Sequence, residues 1–270
     1  MLRDITLGQY YPADSVIHKL DPRVKLFATM LYIVSLFCFR GIAALLVTTV
    51  FLFAIIKVSK VPFKFMVKGL KAIMVLMLIT AVFNLFLTPG EPIASFWIFN
   101  ITAEGAQNAI LMTIRLVYLI LGTSIMTLTT TPNQLTDGLE KALMPLSKIG
   151  VPVHAIAMMM SIALRFIPIL IEETDKIMKA QMARGADFES GNLMQRIKNM
   201  IPLLVPLFVS AFRRADDLAM AMEARCYNGG SGRTKMKPLH YEGRDRIAYL
   251  IVIGYFAVVL LCRTFLPFPM

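Results

Sequence analysis

Cysteine, histidine, tryptophan and charge are all scarce in this 270-residue chain. Its three cysteines, Cys38, Cys226 and Cys262, lie far apart with no C-x-x-C pair. That spacing argues against both a disulfide framework and a cysteine-built zinc site. The three histidines, His18, His154 and His240, are equally scattered, so no metal constellation is legible. Charged residues make up 17%, against about a quarter in soluble domains. There is no G-x-x-x-x-G-K-[ST] phosphate loop, no H-E-x-x-H and no G-x-S-x-G. The glycine-rich stretch Asn228-Gly229-Gly230-Ser231-Gly232-Arg233-Thr234 lacks the lysine and the preceding strand, and reads as a flexible connector. No run of intramembrane carboxylates suggests a proton relay. The chain therefore carries no recognisable energy source or catalytic site of its own.

What the chain has in abundance is apolar surface. Hydrophobic residues make up 57%, and the mean hydropathy is +0.67. Net charge is +11, from 28 Lys+Arg against 17 Asp+Glu. In so apolar a chain, excess base records membrane orientation rather than nucleic-acid binding, and no nucleic-acid partner is expected. The first 21 residues do not resemble a cleavable signal. Asp4, Asp14 and Asp21 interrupt them, and no apolar segment precedes residue 24. Residues 1–21 read as a retained cytoplasmic lead-in.

Charge-free runs locate the spans. Residues 26–56 carry one charge, Arg40, followed by Gly41. As one helix this stretch would be about 46 Å long, too long for a ~30 Å hydrocarbon core. Two short helices joined at Arg40-Gly41 fit better, with Lys25, Arg40 and Lys57 snorkelling. Residues 72–88 form a third span, stopped by Pro89-Gly90-Glu91-Pro92, and residues 105–131 a fourth, with Arg115 inside it. Arg115 is a functional candidate by its depth, although snorkelling or pairing inside the bundle explains it as well. Residues 247–262 are the last span. Two further runs, 149–164 with Pro152 and 199–212 with Pro202 and Pro206, are read as interfacial or protein-buried.

Basic residues arbitrate between topologies. With five spans and an inside N-terminus, 25 of the 28 lysines and arginines fall inside or at the inner boundary. If both disputed runs spanned, residues 165–198 would move outside with six basic residues. The expectation is therefore an all-α polytopic membrane protein of the cell membrane with a cytoplasmic N-terminus. Residues 1–131 hold the lead-in and four transmembrane helices, 132–246 a cytoplasmic insert of long amphipathic helices, and 247–270 the last transmembrane helix.

The insert contains a repeat. It contains twelve of the seventeen acidic residues, from Asp137 to Asp245, so its composition differs from the spans. One helix is expected over 165–185, with Ile167, Leu170, Ile171, Ile177, Met178 and Met182 on one face. Glu172–Lys176 and Asp175–Lys179 are candidate i,i+4 pairs on the other face. A second helix is expected from about Leu203 to Cys226, with Leu207, Phe208, Ala211, Phe212, Ala215 and Leu218 on its apolar face and Arg213 paired with Asp217. Residues 175–184 and 216–225 align without a gap: aspartate, Ile/Leu, alanine, alanine and arginine coincide. Helix-ending residues follow both copies. Each rod thus presents an arginine, Arg184 or Arg225, at its C-terminal tip. One such arginine is favoured by the helix dipole by about 0.3–1 kcal/mol. Two at matched positions suggest a partner with two sites, or a dimeric partner, recognised through bidentate hydrogen bonds.

The residues then resemble a family, the transmembrane T component (EcfT/CbiQ) of energy-coupling factor transporters. The stretch from Gly8-Gln9-Tyr10-Tyr11-Pro12 to Leu20-Asp21-Pro22-Arg23-Val24-Lys25 resembles the N-terminus of the shared, vitamin-type members. Ala183-Arg184-Gly185 and Ala224-Arg225-Cys226 resemble the family's paired X-Arg-X signatures. The resemblance covers essentially the whole chain. It implies a non-catalytic scaffold whose coupling helices dock, through Ala183, Arg184, Gly185, Ala224, Arg225 and Cys226, into two ABC ATPase subunits. Those subunits would bind the ATP and magnesium, so this chain holds no cofactor. The membrane part and helix faces would hold a separate substrate-binding S component. Methionines crowding the insert (Met158, Met159, Met160, Met178, Met182, Met194, Met200, Met220 and Met222) suit a surface that accepts interchangeable partners. A dedicated T component for cobalt or nickel uptake is the alternative within the class. A polytopic membrane enzyme, or a lipid-surface anchor using the insert's sixteen basic residues, are alternatives from other classes.

Overall fold

A computed structural model of the chain describes residues 9–38, 41–88, 92–96, 99–188, 192–229, 236 and 238–265. The helices are α1 (Pro22–Cys38), α2 (Ile42–Ser59), α3 (Phe63–Leu87), α4 (Ala103–Thr129), α5 (Pro132–Leu143), α6 (Val153–Ala183), α7 (Leu193–Ala224) and α8 (Gly243–Phe265). A short antiparallel hairpin, β1 (Pro92–Phe96) and β2 (Phe99–Thr102), occupies the connection between α3 and α4. A 3₁₀ turn, Met144–Ile149, separates α5 from α6. The helical class predicted from the sequence is what the molecule shows, with the hairpin as an addition.

The chain forms two compact units, one of residues 8–139 with 239–270, the other of residues 140–238. In the first, α1, α2, α4 and α8 share a core of Tyr32, Leu36, Ala44, Leu52, Leu121, Ile125, Tyr255 and Val259. Phe51 and Tyr255 stack with ring centroids 3.9 Å apart. No water reaches such a core, so its hydroxyls must pair internally. The Tyr255 hydroxyl lies 2.8 Å from Ser35 Oγ and 3.2 Å from Thr48 Oγ1, and Tyr32 donates to the Tyr118 carbonyl at 3.0 Å. Gly122 allows the close approach of α4 to α1, because a Cβ there would fall 2.2 Å from the Tyr32 ring.

Among the described residues, α2, α4, α6 and α8 are each long and apolar enough to cross a membrane, and α3 makes a fifth if its two halves are one span. Those halves, Phe63–Lys71 and Ile73–Phe86, meet at 60°. The apolar half begins where the sequence placed the third span, and the bend turns Lys64 and Lys71 away with the other half. Two details bear on spans that the sequence left short or disputed. α1, read as a span, has 17 residues, about 25 Å of helix. The run 149–164, read as non-spanning, is largely the apolar start of the 31-residue α6. Arg40 lies outside the described residues; Gly41, with φ +89°, precedes α2.

In the second unit both amphipathic helices begin earlier than expected, at Val153 rather than 165 and at Leu193 rather than about 203. Each runs through proline: Pro168 in α6, Pro202 and Pro206 in α7. Pro206 has no N–H, so the Pro202 carbonyl loses its helical donor. Gln181 Nε2 of α6 donates to that carbonyl instead, at 3.3 Å. The facing helix thus supplies what the proline removes.

Candidate functional site: two matched helix tips

Both arginine-bearing tips close with the same backbone device. Arg184 and Arg225 are the C-cap residues, and each is followed by a residue in the left-handed region, Gly185 at φ +87° and Cys226 at φ +55°. After α6, the Gly185 N–H donates to the Met182 carbonyl and the Ala186 N–H to the Gln181 carbonyl, both at 3.0 Å. After α7, Cys226 donates to Glu223 at 2.8 Å and Tyr227 to Met222 at 3.0 Å. Each set is a Schellman motif, in the same register relative to its arginine. The difference between Gly185 and Cys226 in the sequence therefore does not change the turn. Both guanidinium groups are exposed, and among the described residues neither has a hydrogen-bond or ion-pair partner. Ala183, Gly185, Ala224 and Cys226 are exposed around them.

The left-handed turn costs a β-carbon residue about 1–2 kcal/mol, which glycine avoids. Cys226→Gly should therefore stabilise the second tip slightly, and Gly185→Cys should destabilise the first by about 1–2 kcal/mol. Hydrogen exchange at the last turn of each helix measures both. Equal protection in Gly185→Cys and the parent would contradict the equivalence of the two turns.

The ion pairs expected within each helix are replaced by one between helices. Glu172–Lys176, Asp175–Lys179 and Arg213–Asp217 do not close to 4 Å; instead Arg214 Nη2 donates to Glu173 Oε2 at 3.0 Å. These two residues are 41 positions apart, the same offset that separates Arg184 from Arg225. Glu173–Arg214 thus joins equivalent positions of the repeat. α6 and α7 run antiparallel where they touch, since Glu173 meets Arg214 while Gln181 meets Pro202. The pair sits near a local pseudo-two-fold axis, with one tip about 16 Å of helix away in each direction. The sequence showed the repeat but not its symmetry. Equal spacing of a Glu and an Arg from the two tips was the available signal.

The α6–α7 pair leaves apolar surface uncovered. On α7, Ile197, Ile201, Val205, Phe208 and Phe212 form an exposed stripe at helical spacing, with Phe212 69% exposed. Met159, Met160, Met182, Met194 and Met220 are exposed as well. Monomeric soluble proteins rarely expose contiguous apolar patches of this kind.

In the membrane unit, the Leu20-to-Lys25 motif forms a clasp that the sequence did not reveal. Arg23 grips the Asp21 carboxylate through Nε at 3.0 Å and Nη2 at 2.7 Å. It also donates to the Leu239 carbonyl and lies 3.9 Å over the Tyr241 ring. Asp245, at the start of α8, accepts from the Asp21 and Glu242 N–H groups at 2.9 and 2.8 Å. Lys25 Nζ donates to the carbonyls of His18 and Thr129, at 3.0 and 2.9 Å. Asp21, Lys25 and Asp245 are all buried. His18 Nε2 lies 3.0 Å from the Tyr11 carbonyl and Nδ1 2.7 Å from Ser15 Oγ. Burial lowers the His18 pKa, the Lys25 charge adds to that, and the Tyr11 carbonyl opposes it. Arg115, the deep cation of α4, reaches Met112 Sδ at 3.7 Å, with its guanidinium 6.0 Å from the Phe37 ring centre.

Several apolar helices, four of them around a hydroxyl-satisfied core, define a multi-pass membrane protein. The CbiQ family model, described as a cobalt transport protein, matches residues 13–236. A Clostridium kluyveri protein named energy-coupling factor transporter transmembrane protein EcfT is 58% identical over 265 residues, covering 97% of this chain and 98% of that protein. Proteins of the same name from Thermosediminibacter oceani and Bacillus subtilis are 52% and 46% identical, over 95% and 97% of this chain and 97% and 100% of their own lengths. The chain belongs to the CbiQ family, as a transmembrane component of the EcfT type.

Proposed function

We propose that this chain is the non-catalytic coupling subunit of an energy-coupling factor importer. The observation that carries the reading is the pair of identically capped, exposed arginines related by the Glu173–Arg214 pseudo-two-fold. A partner that offers two equivalent grooves matches this arrangement, as a pair of ABC ATPase subunits would. Ala183, Arg184 and Gly185 occupy one groove, and Ala224, Arg225 and Cys226 the other. The ATPases bind ATP and magnesium, and their opening and closing moves the hairpin. The uncovered apolar stripe of α7 receives the substrate-binding S component, which selects the vitamin or other micronutrient. Purified alone, the chain should hydrolyse no nucleotide; two ATPase subunits and an S component should co-purify with it and confer hydrolysis. Hydrolysis by the isolated chain, abolished by a substitution within it, would overturn the reading.

In this arrangement the N-terminus and residues 132–246 are cytoplasmic, the topology that the placement of basic residues favours. With Cys38, Cys226 and Cys262 replaced, Met194→Cys should resist an impermeant thiol reagent added outside intact cells. Labelling from outside would overturn the orientation. A second reading, a dedicated cobalt or nickel importer subunit, is favoured by the description of the matching family model. Uptake of radiolabelled cobalt, set against vitamin uptake, separates the two.

A further inference from the structure

A cavity of about 340 Å³ lies between α1, α2, α4 and α8 of the membrane unit. At one end it is bounded by Lys25 in the first turn of α1, Val58 in the last turn of α2, Thr129 at the end of α4 and Arg244 in the first turn of α8. Tyr32, Phe51 and Gly122 bound it deeper in the bundle. Lys25 and Tyr32 are seven positions apart, so the cavity reaches about 10 Å inward from the helix ends. Its walls are almost entirely apolar. Its volume lies at the lower end of the range for small-molecule sites, roughly 300–1,000 Å³.

The charge at its mouth is the informative feature. Lys25 is only 6% exposed, and its ammonium donates to two neutral carbonyls. No carboxylate of the described residues lies within 4 Å of it. Asp21 is taken up by Arg23, and Asp245 by two backbone N–H groups. An ammonium has three donors, so one N–H remains uncommitted beside an apolar space, and the Asp21 and Asp245 carboxylates, both engaged elsewhere, offset its charge only in part. Arg244 adds a second cation at the rim, shared with Glu242 and half-exposed. Val58, Ile247 and Ile251 line the cavity and are exposed, so it opens onto the outer surface of the bundle. In a bilayer that surface meets lipid.

We propose that the cavity holds an acyl chain of an anionic phospholipid from the surrounding bilayer, with its phosphate paired to Lys25 and Arg244. Basic pockets between transmembrane helices at the membrane interface take anionic headgroups for the same electrostatic reason. The apolar walls exclude a hydrophilic occupant, and the buried cation disfavours a neutral or zwitterionic one. The inference rests on the multi-pass membrane fold and not on the docking role of the arginine tips.

The test uses the full chain in complex with its co-purifying subunits, reconstituted into phosphatidylcholine vesicles. These carry a trace of phosphatidylglycerol with a photoactivatable group on one acyl chain. Label should map to peptides of α1, α2 and α4 that line the cavity. Unlabelled phosphatidylglycerol should compete and phosphatidylcholine should not. Arg244→Gln, at a half-exposed side chain, should weaken labelling about fivefold. Ala28→Phe on α1 and Ala248→Phe on α8 fill the cavity and should each abolish it, with retention of the complex as the check on folding. Equal competition by both lipids, or full labelling in a folded cavity-filled variant, overturns the proposal. So does labelling that appears only once the partner subunits are removed, because a protein then occupies the cavity.

Discussion

If the tips dock as proposed, replacing both Arg184 and Arg225 by alanine should release the ATPase subunits while leaving α6 and α7 helical. Neither guanidinium has a partner among the described residues, so neither contributes to the hairpin's own fold beyond the helix dipole, about 0.3–1 kcal/mol each. In a groove of a partner the same group is desolvated against carbonyls or carboxylates. Truncating it there leaves those acceptors unpaired, at a cost of roughly 2–5 kcal/mol per site. The gap between the two magnitudes separates docking from capping. Lysine should rescue only in part, because it lacks the planar five-donor fork. A single substitution should weaken the assembly, whereas the pair should dissociate it, since each contact raises the effective concentration of the other. The measurement is retention of tagged ATPases on the purified variants, with vitamin uptake in cells as the second readout. Wild-type retention and uptake in the double variant would reduce the tips to ordinary helix ends.

Asp21→Ala should produce the largest loss of stability in the membrane unit. Asp21 is nearly inaccessible, and its side chain is the bidentate partner of Arg23, itself mostly covered. Removing one member of a buried pair leaves the other uncompensated and costs about 3–5 kcal/mol. Two features make the site more sensitive than an isolated pair. Arg23 also joins the Leu239 carbonyl and the Tyr241 ring, so the start of α1 loosens from the segment before α8. Lys25, two residues on, loses the nearby negative charge that helps offset its burial. Thermal unfolding in detergent should show a large drop for Asp21→Ala. Asp245→Ala should drop too, through the loss of acceptors for the Asp21 and Glu242 N–H groups. The substitution Lys19→Ala, at an exposed pair with Asp14, should be nearly neutral. An Asp21→Ala protein as stable as that control would show that the clasp carries no stability.

The sequence by itself determined the elements whose signals are local. Charge-free runs placed α2, α4 and α8, because a membrane span is a property of consecutive residues. The ungapped match of residues 175–184 with 216–225 placed both arginines at helix tips, because a helix end is set by the few residues around it. Only the tertiary structure decided what depended on a second element. The second rod was expected to begin only after Pro202, yet α7 runs through Pro202 as well as Pro206, and at Pro206 a glutamine of the facing helix satisfies the carbonyl that proline orphans. The expected pairs within each helix gave way to Glu173–Arg214, since two antiparallel helices bring equivalent positions of a repeat together at their crossing. Lys25 read as a snorkelling boundary residue. Its ammonium is instead buried against carbonyls at positions 18 and 129, a contact that exists only once α1 and α4 lie side by side.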